Sequence, residues 1–419
     1  MARHGRFVSN PFSNTQAHVP EVSPDMAWAM VSELLPELEE CISRGAVPKS
    51  TGKWSYNYTI YTGLCGVALA HLRIGIHCRD VRGDAAAAAG FIQKAYRTGS
   101  ACLAAEPRSG EVSFFCGTPG YLAITCVSAK LLGNEQAASS HLQALLGWTK
   151  AACQHQEDEL LFGKAGYLYA LLWVKQYCGA GAADFDTCLR ETAESLVSTG
   201  RRRATRYPDW PLMWHCFNEP YVGAAHGIVG ILAMLLHCHS LLSKESQQLV
   251  CNTLDRLVAE RFVSGNLPII LGDECDEHVH WCHGAPGMPG LLAVAAEVLG
   301  DATGTLQRAA VQAADVVWER GVILKGNGLC HGLAGNGYAF LSLFRLTNDV
   351  AQLRRAAAFV ELLRYVPLQQ AMSRHPDPQR RVPGVPDSPR SLMEGSAGVV
   401  CFLLDASFPF ASRFPAWEL

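Results

Sequence analysis

A chain of 419 residues with 49% hydrophobic and 17% charged side chains holds enough apolar sequence for a large buried core and too little charge for a disordered polymer. Its formal net charge of −3 is spread without long single-sign runs, which excludes a basic phosphate-binding face and, with it, nucleic acid as the main partner. The short runs Arg201-Arg202-Arg203 and Arg380-Arg381 read as solvated loops.

Met1-Ala2-Arg3-His4-Gly5-Arg6 leads into polar, Pro-containing sequence and not into an apolar stretch, so no secretory signal is expected and the chain reads as cytoplasmic. Its sixteen cysteines, none in Cys-x-x-Cys spacing, are then expected as reduced thiols, most of them acting as small hydrophobes. Residues 1–24 are expected to form an N-terminal arm. Ser23-Pro24-Asp25 is a helix start signal, followed by Trp28, Val31, Leu34, Leu35 and Leu38 at helical spacing.

From there the chain repeats. Gly-x-x-Gly occurs at Gly63/Gly66, Gly117/Gly120, Gly163/Gly166, Gly227/Gly230, Gly284/Gly287, Gly332/Gly335 and Gly395/Gly398, roughly every 55 residues, the length of two helices with their loops. Each pair leads into an apolar run such as Tyr167-Leu168-Tyr169-Ala170-Leu171-Leu172. Between the runs lie amphipathic stretches, as with Val250, Leu254, Leu257 and Val258 opposed by Asp255, Arg256 and Glu260. Each unit predicts one buried and one surface helix. Seven such hairpins predict an all-α fold, a closed α/α toroid forming one domain over residues 1–419, with an open solenoid as the alternative. Residues 221–242 are apolar enough to suggest a membrane span, but they contain His226, His237 and His239 and fall in register with the repeats, so a buried inner helix is expected and no transmembrane segment.

With the seven turns at one end of a ring, the residues before each first glycine would meet in a central pocket. They are Thr62, Cys116, Phe162, His226, His283, His331 and Glu394, joined by Cys282 and Cys330 one position earlier in two units. Thiolate and imidazole suit zinc, and a catalytic zinc takes three protein ligands plus an open position. A structural zinc takes four ligands at short paired spacing, which the two Cys-His-Gly turns do not offer. Asp273-Glu274-Cys275-Asp276-Glu277-His278-Val279-His280 is expected mainly as a polar rim.

The chain resembles the eukaryotic LanC-like proteins, relatives of the bacterial lanthionine cyclases. The resemblance rests on Arg6 with Asn10-Pro11-Phe12, on Tyr221-Val222-Gly223-Ala224-Ala225-His226-Gly227, Trp281 to Gly287, Gly328-Leu329-Cys330-His331-Gly332 and Leu392-Met393-Glu394-Gly395, and on the C-terminal Arg413-Phe414-Pro415-Ala416-Trp417-Glu418-Leu419. It implies a toroid with zinc held by Cys282, Cys330 and His331, His283 as a pocket neighbour and His226 as the proton-handling residue. It also implies glutathione as a ligand, contacted by Lys325, Arg6, Pro386 and Asp387, and an enzyme that adds glutathione to dehydroalanine and dehydrobutyrine in proteins. Where relatives carry Arg-x-Pro-Asp this chain has Gly384-Val385-Pro386-Asp387, leaving Arg380, Arg381 or Arg390 as substitutes for the arginine. A catalytically silent sensor or scaffold that binds zinc and glutathione, with kinases as partners, is the alternative, and a true lanthionine cyclase is a third.

Overall fold

The computed structural model describes residues 3–4, 6–14, 19–106, 110–179, 183–376, 382 and 384–419. In chain order the helices form seven pairs. They are α1 (Pro24–Arg44) with α2 (Leu64–Asp80), α3 (Ala85–Ala105) with α4 (Thr118–Leu131), and α5 (Glu135–Leu146) and the short α6 (Thr149–Gln154) with α7 (Lys164–Cys178). Next come α8 (Ala183–Ala204) with α9 (Ile228–His237), α10 (Lys244–Ala259) with α11 (Met288–Leu299), and α12 (Thr305–Arg320) with α13 (Leu333–Thr347). The last pair is α14 (Val350–Leu362) and the short α15 (Val366–Ser373) with α16 (Ser396–Ser407).

The two members of a pair differ as their sequences require. In α4 every residue from Thr118 to Ala129 is buried, whereas α1 buries a single stripe of Ala27, Met30, Val31, Leu38 and Cys41. The buried helices pack α2 on α4, α4 on α7, α7 on α9, α9 on α11, α11 on α13, α13 on α16, and α16 back on α2, so the inner ring is closed. At the closing seam Arg73 of α2 pairs with Asp405 of α16, which also accepts from the Tyr338 hydroxyl at 2.8 Å. Ser23 caps α1 as expected, its hydroxyl accepting from the Met26 N–H at 3.2 Å.

The inner helices have no side-chain caps. Instead the preceding loop curls back so that its carbonyls take the first free N–H groups. Leu64 and Cys65 donate to the Asn57 and Tyr58 oxygens, Lys164 and Ala165 to Glu157 and Asp158, Ile228 and Val229 to Tyr221 and Val222, and Leu333 and Ala334 to Gly326 and Asn327. This close return is why the second glycine recurs. A Cβ on Gly66, Gly120, Gly166, Gly230, Gly335 or Gly398 would overlap a loop carbonyl, that of Ile60, Phe114, Leu160, Ala224, Leu329 or Leu392 respectively. The fifth unit departs from the pattern: Gly284 takes φ 106°, and a 3-10 turn, Ala285–Gly287, precedes α11, which therefore starts at Met288.

Two expectations need adjustment. Arg201-Arg202-Arg203 is no loop but the last turn of α8, where cations complement the helix C-terminus; Arg201 pairs with Glu245 at 2.7 Å and Arg203 donates to the His215 carbonyl at 2.9 Å. Arg380-Arg381 lies outside the described residues. The arm is partly paired: β1 (Arg3–His4) and β2 (Phe7–Val8) form a short antiparallel ladder, and Val8 donates to the Val322 oxygen at 2.9 Å. All sixteen cysteines are free thiols. No helix among the described residues is long and apolar enough to cross a membrane.

The carbonyl-return turn predicts opposite outcomes for two glycine substitutions measured by denaturant unfolding. Gly120→Ala, which places a methyl on the Phe114 carbonyl, should cost about 2–4 kcal/mol. Gly90→Ala, at an exposed α3 position with open space, should add about 0.5–1 kcal/mol.

Candidate active site

The turns before α11 and α13 bring Cys282, Cys330 and His331 together, with one donor atom from each lying within 4.8 Å of the others. The backbones are tied as well: the Cys282 N–H donates to the Cys330 carbonyl at 3.2 Å and the Cys330 N–H to the Met393 carbonyl at 2.8 Å. Both thiols are buried while His331 is partly exposed, which leaves one side of the cluster approachable. The contact with Cys282 and burial push the Cys330 thiol well up, so it stays neutral unless a cation arrives. The Tyr61 hydroxyl, kept protonated chiefly by burial, donates to Cys330 Sγ at 2.9 Å. Two thiols and one imidazole with an accessible side fit a zinc ion with a free coordination position.

Beside them stands His226, from the turn before α9. Its Nδ1 lies 3.0 Å from Glu159 Oε2, and Glu159 is itself fixed by the N–H groups of Leu161 and Phe162 at 2.8 and 2.7 Å. A carboxylate only accepts, so Nδ1 carries the proton and Nε2 is the nitrogen left to exchange one. The rings of Phe162, Phe217 and Tyr221 pack around the imidazole at 6.1, 5.8 and 5.7 Å. His283 lies 6.1 Å from His226 and 5.4 Å from Tyr221 between centroids, linking the imidazole to the Cys282 turn. Burial pushes His283 down to about 3, with the charges of His226, His278, Lys325 and His331 adding to it, so it is a neutral neighbour. The two turns touch directly, since a Cβ on Gly223 would overlap the Cys282 carbonyl.

Burial lowers His278 and His280 first, and the positive charge of Lys325 adds to it at both, as it does at His283, while that of Arg6 adds to it at His278. Arg6 reaches Glu277 at 3.8 Å, and Phe7 bridges to Ile323, two residues before Lys325. The 273–280 stretch is largely rim, with Asp276 held by Ser264, Asn266 and Arg320. His280 departs from it, buried with its ring 6.2 Å from that of His331.

Other expected residues are less central. Thr62 is occupied by Asn57 at 2.9 Å, and Glu394 accepts from the Ser388 N–H at 3.0 Å. Pro386 lines a cavity of about 410 Å³ together with Gly326, Asn327, Gly384 and Glu394. Asp387 is absent from that lining and is engaged by Ser50, whose N–H donates to its carbonyl at 3.0 Å. Arg390, a proposed substitute cation, is bound to Glu40 of α1 at 2.7 Å. Gly384 has φ 71°, and a Cβ there would overlap Ser373 Cα. Sequence reasoning missed Glu159 and Tyr61. Tyr61 occupies the same place before Gly63 that Cys282 and Cys330 hold before their glycines, and that register would have pointed to it. Glu159 stands four residues before Gly163, outside the positions compared.

The profile of the lanthionine synthetase C-like proteins matches residues 55–419. The chain belongs to the lanthionine synthetase C-like family. It is 34% identical over 397 residues to the "Glutathione S-transferase LANCL1" of Danio rerio, covering 93% of this chain and 90% of that one. To the "LanC-like protein GCL1" of Arabidopsis thaliana it is 32% identical over 375 residues, covering 86% and 81%. Among solved structures, nisin cyclase superposes with a TM-score of 0.63 at 15% identity over 93% of this chain and 96% of that one, a likeness of fold. Within this LanC-like chain, Gly384 is set by its backbone. Gly384→Arg should therefore lower stability by about 1–3 kcal/mol in thermal or chemical unfolding, and Gly384→Ala by a similar amount, because the strain arises at Cβ.

Proposed function

We propose that this LanC-like protein is a zinc-dependent transferase that adds glutathione to dehydroalanine and dehydrobutyrine residues of proteins. The observation that carries the reading is the juxtaposition of the Cys282–Cys330–His331 donor set with the Glu159–His226 pair, linked through His283 and Tyr221. The name of the Danio rerio relative supports the glutathione part. The cations Arg6 and Lys325 at the rim suit the two carboxylates of that tripeptide.

Zinc held by Cys282, Cys330 and His331 would supply the positive charge that keeps an incoming thiol ionised near neutral pH. That contribution is modest. A free thiol with pKa about 8.5 is already a few per cent ionised at pH 7, so complete ionisation gives roughly thirtyfold, about 2 kcal/mol. Orientation must supply more. The chain's own residues do that work: Lys325 and Arg6 hold the donor's carboxylates, and Phe162, Phe217 and Tyr221 pack around the imidazole and fix its place. His226 handles the proton. His226 Nε2 takes up the proton released by the glutathione thiol, with Glu159 holding the ring and stabilising its cationic form; as sulfur bonds to the β-carbon, the alkene electrons move toward the amide carbonyl, and Nε2 gives that proton to the α-carbon. The addition is redox-neutral and has no leaving group.

A silent binding scaffold is the second reading, and Gly384 favours it, because the family's arginine is missing where the backbone admits no side chain. Variants separate the two. Cys330→Ala should lose bound zinc and all glutathione addition to a dehydroalanine peptide followed by mass shift. His226→Ala should keep zinc and lose turnover by at least about 100-fold. Glu159→Gln should retain zinc and lower turnover by about 10–100-fold with an altered pH–rate profile, since it acts by orienting the imidazole. Turnover unaffected by loss of zinc would contradict the enzyme reading, and no turnover in the parent at saturating glutathione would favour the scaffold.

A further inference from the structure

A second cluster of metal-binding side chains shares no ligand with the first donor set, although it includes His226 beside it. Glu159, Cys216 and His226 bring a carboxylate oxygen, a sulfur and a ring nitrogen within 4.8 Å of one another. Cys216 Sγ is 3.6 Å and Glu159 Oε2 3.0 Å from the same atom, His226 Nδ1. Around a tetrahedral zinc with nitrogen or oxygen at about 2.0–2.1 Å and sulfur at about 2.3 Å, such edges measure about 3.3–3.6 Å. The two edges that meet at Nδ1 thus lie within a few tenths of an ångström of those values, and the third, between Cys216 and Glu159, is no longer than 4.8 Å.

The cluster is built in advance. Glu159 is anchored by two N–H groups, as described above. Cys216 is fixed by reciprocal backbone hydrogen bonds with Glu219 at 3.0 and 2.9 Å, across a reversal in which Phe217 and Asn218 take φ of 51° and 64°. Two non-glycine residues in that left-handed region are a local cost that the surrounding structure maintains. Glu159 and Cys216 are fully buried, and the His226 ring, 18% exposed, leaves a way in.

The shared nitrogen also decides against another role. A thiol–imidazole–carboxylate nucleophile needs the thiol on one ring nitrogen and the carboxylate on the other. Here both face Nδ1, which suits three ligands around one ion and not a proton relay from sulfur.

We propose that Glu159, Cys216 and His226 form a second, inhibitory site for a thiophilic divalent cation, with zinc as the natural occupant. On binding, the Cys216 thiol proton leaves to solvent and the sulfur donates to the metal. The neutral ring keeps its single proton but at Nε2, because Nδ1 gives its lone pair to the ion. Nε2 then has no lone pair with which to take up a proton, so His226 loses the role assigned to it above. The inhibitory consequence rests on the proposed function, whereas the site itself does not.

The test is a zinc titration of the full chain, with cadmium as an optical probe of metal–thiolate bonds. The parent should bind two equivalents and show three cadmium–thiolate bonds; Cys216→Ala should bind one equivalent and show two. Glutathione addition by the parent should fall as the second zinc binds, while Cys216→Ala should keep the parent's one-zinc rate at the same zinc level. Cys216→Ser replaces the alanine variant if thermal melting shows that variant unfolded. Saturation of the parent at one equivalent overturns the proposal, as does a second equivalent held equally by the variant, which would mark an adventitious ion only. A parent inactive at every zinc level defeats the transferase reading, and the cadmium count then still decides the site.

Discussion

The structure depends on one repeated interaction, the return of a loop's carbonyl groups onto the first N–H groups of an inner helix. A helix start normally uses a Ser, Thr, Asp or Asn side chain, which keeps the preceding loop at a distance. Here backbone replaces side chain, and the loop is drawn so close that only glycine fits beneath it at Gly66, Gly120, Gly166, Gly230, Gly335 and Gly398. The residues just before each helix are thereby held against the ring axis on main-chain hydrogen bonds, which position side chains more tightly than a free loop would. Cys330, His331 and His226 sit on such turns, and Cys282, on the divergent fifth turn, is tied to them through its N–H on the Cys330 carbonyl.

That placement explains how a buried, largely apolar ring can host polar chemistry. Thiols and imidazoles are the polar groups that bury most cheaply in their neutral forms; the contact with Cys282 and burial move Cys330 up and burial moves His283 down, so both remain neutral. A cation then changes the favoured state of the thiols at one point, and Glu159 is satisfied by three hydrogen-bond donors. The outer cations Arg6 and Lys325 stay at the rim, where solvent lowers the cost of holding them.

Much of this was legible in the sequence because it is periodic. The Gly-x-x-Gly pairs and the apolar runs behind them are local patterns, and seven such hairpins over nearly the whole chain pointed to a ring, with an open solenoid as the alternative; Cys282, Cys330 and His331 were visible as soft donors just before the turn glycines. What was not legible depends on distance in the chain. Glu159 reads as one of several acids in an ordinary loop until folding sets it against His226, 67 residues away. Cys216 reads as one buried cysteine among many. Arg201 to Arg203 carry the charge of a loop, yet a helix C-terminus accepts them. Asp387 was placed by resemblance and Arg390 offered as a substitute for the missing arginine, but each has a nearby partner, Ser50 and Glu40, that sequence spacing could not reveal.

The central claim is that two thiols and one imidazole hold a zinc whose remaining position receives the substrate thiol. Zinc-edge X-ray absorption on protein loaded with one equivalent addresses it directly. The account predicts two sulfur and two lighter neighbours without glutathione, and three sulfur neighbours and one lighter neighbour once glutathione is added. Four protein ligands unchanged by glutathione would contradict it.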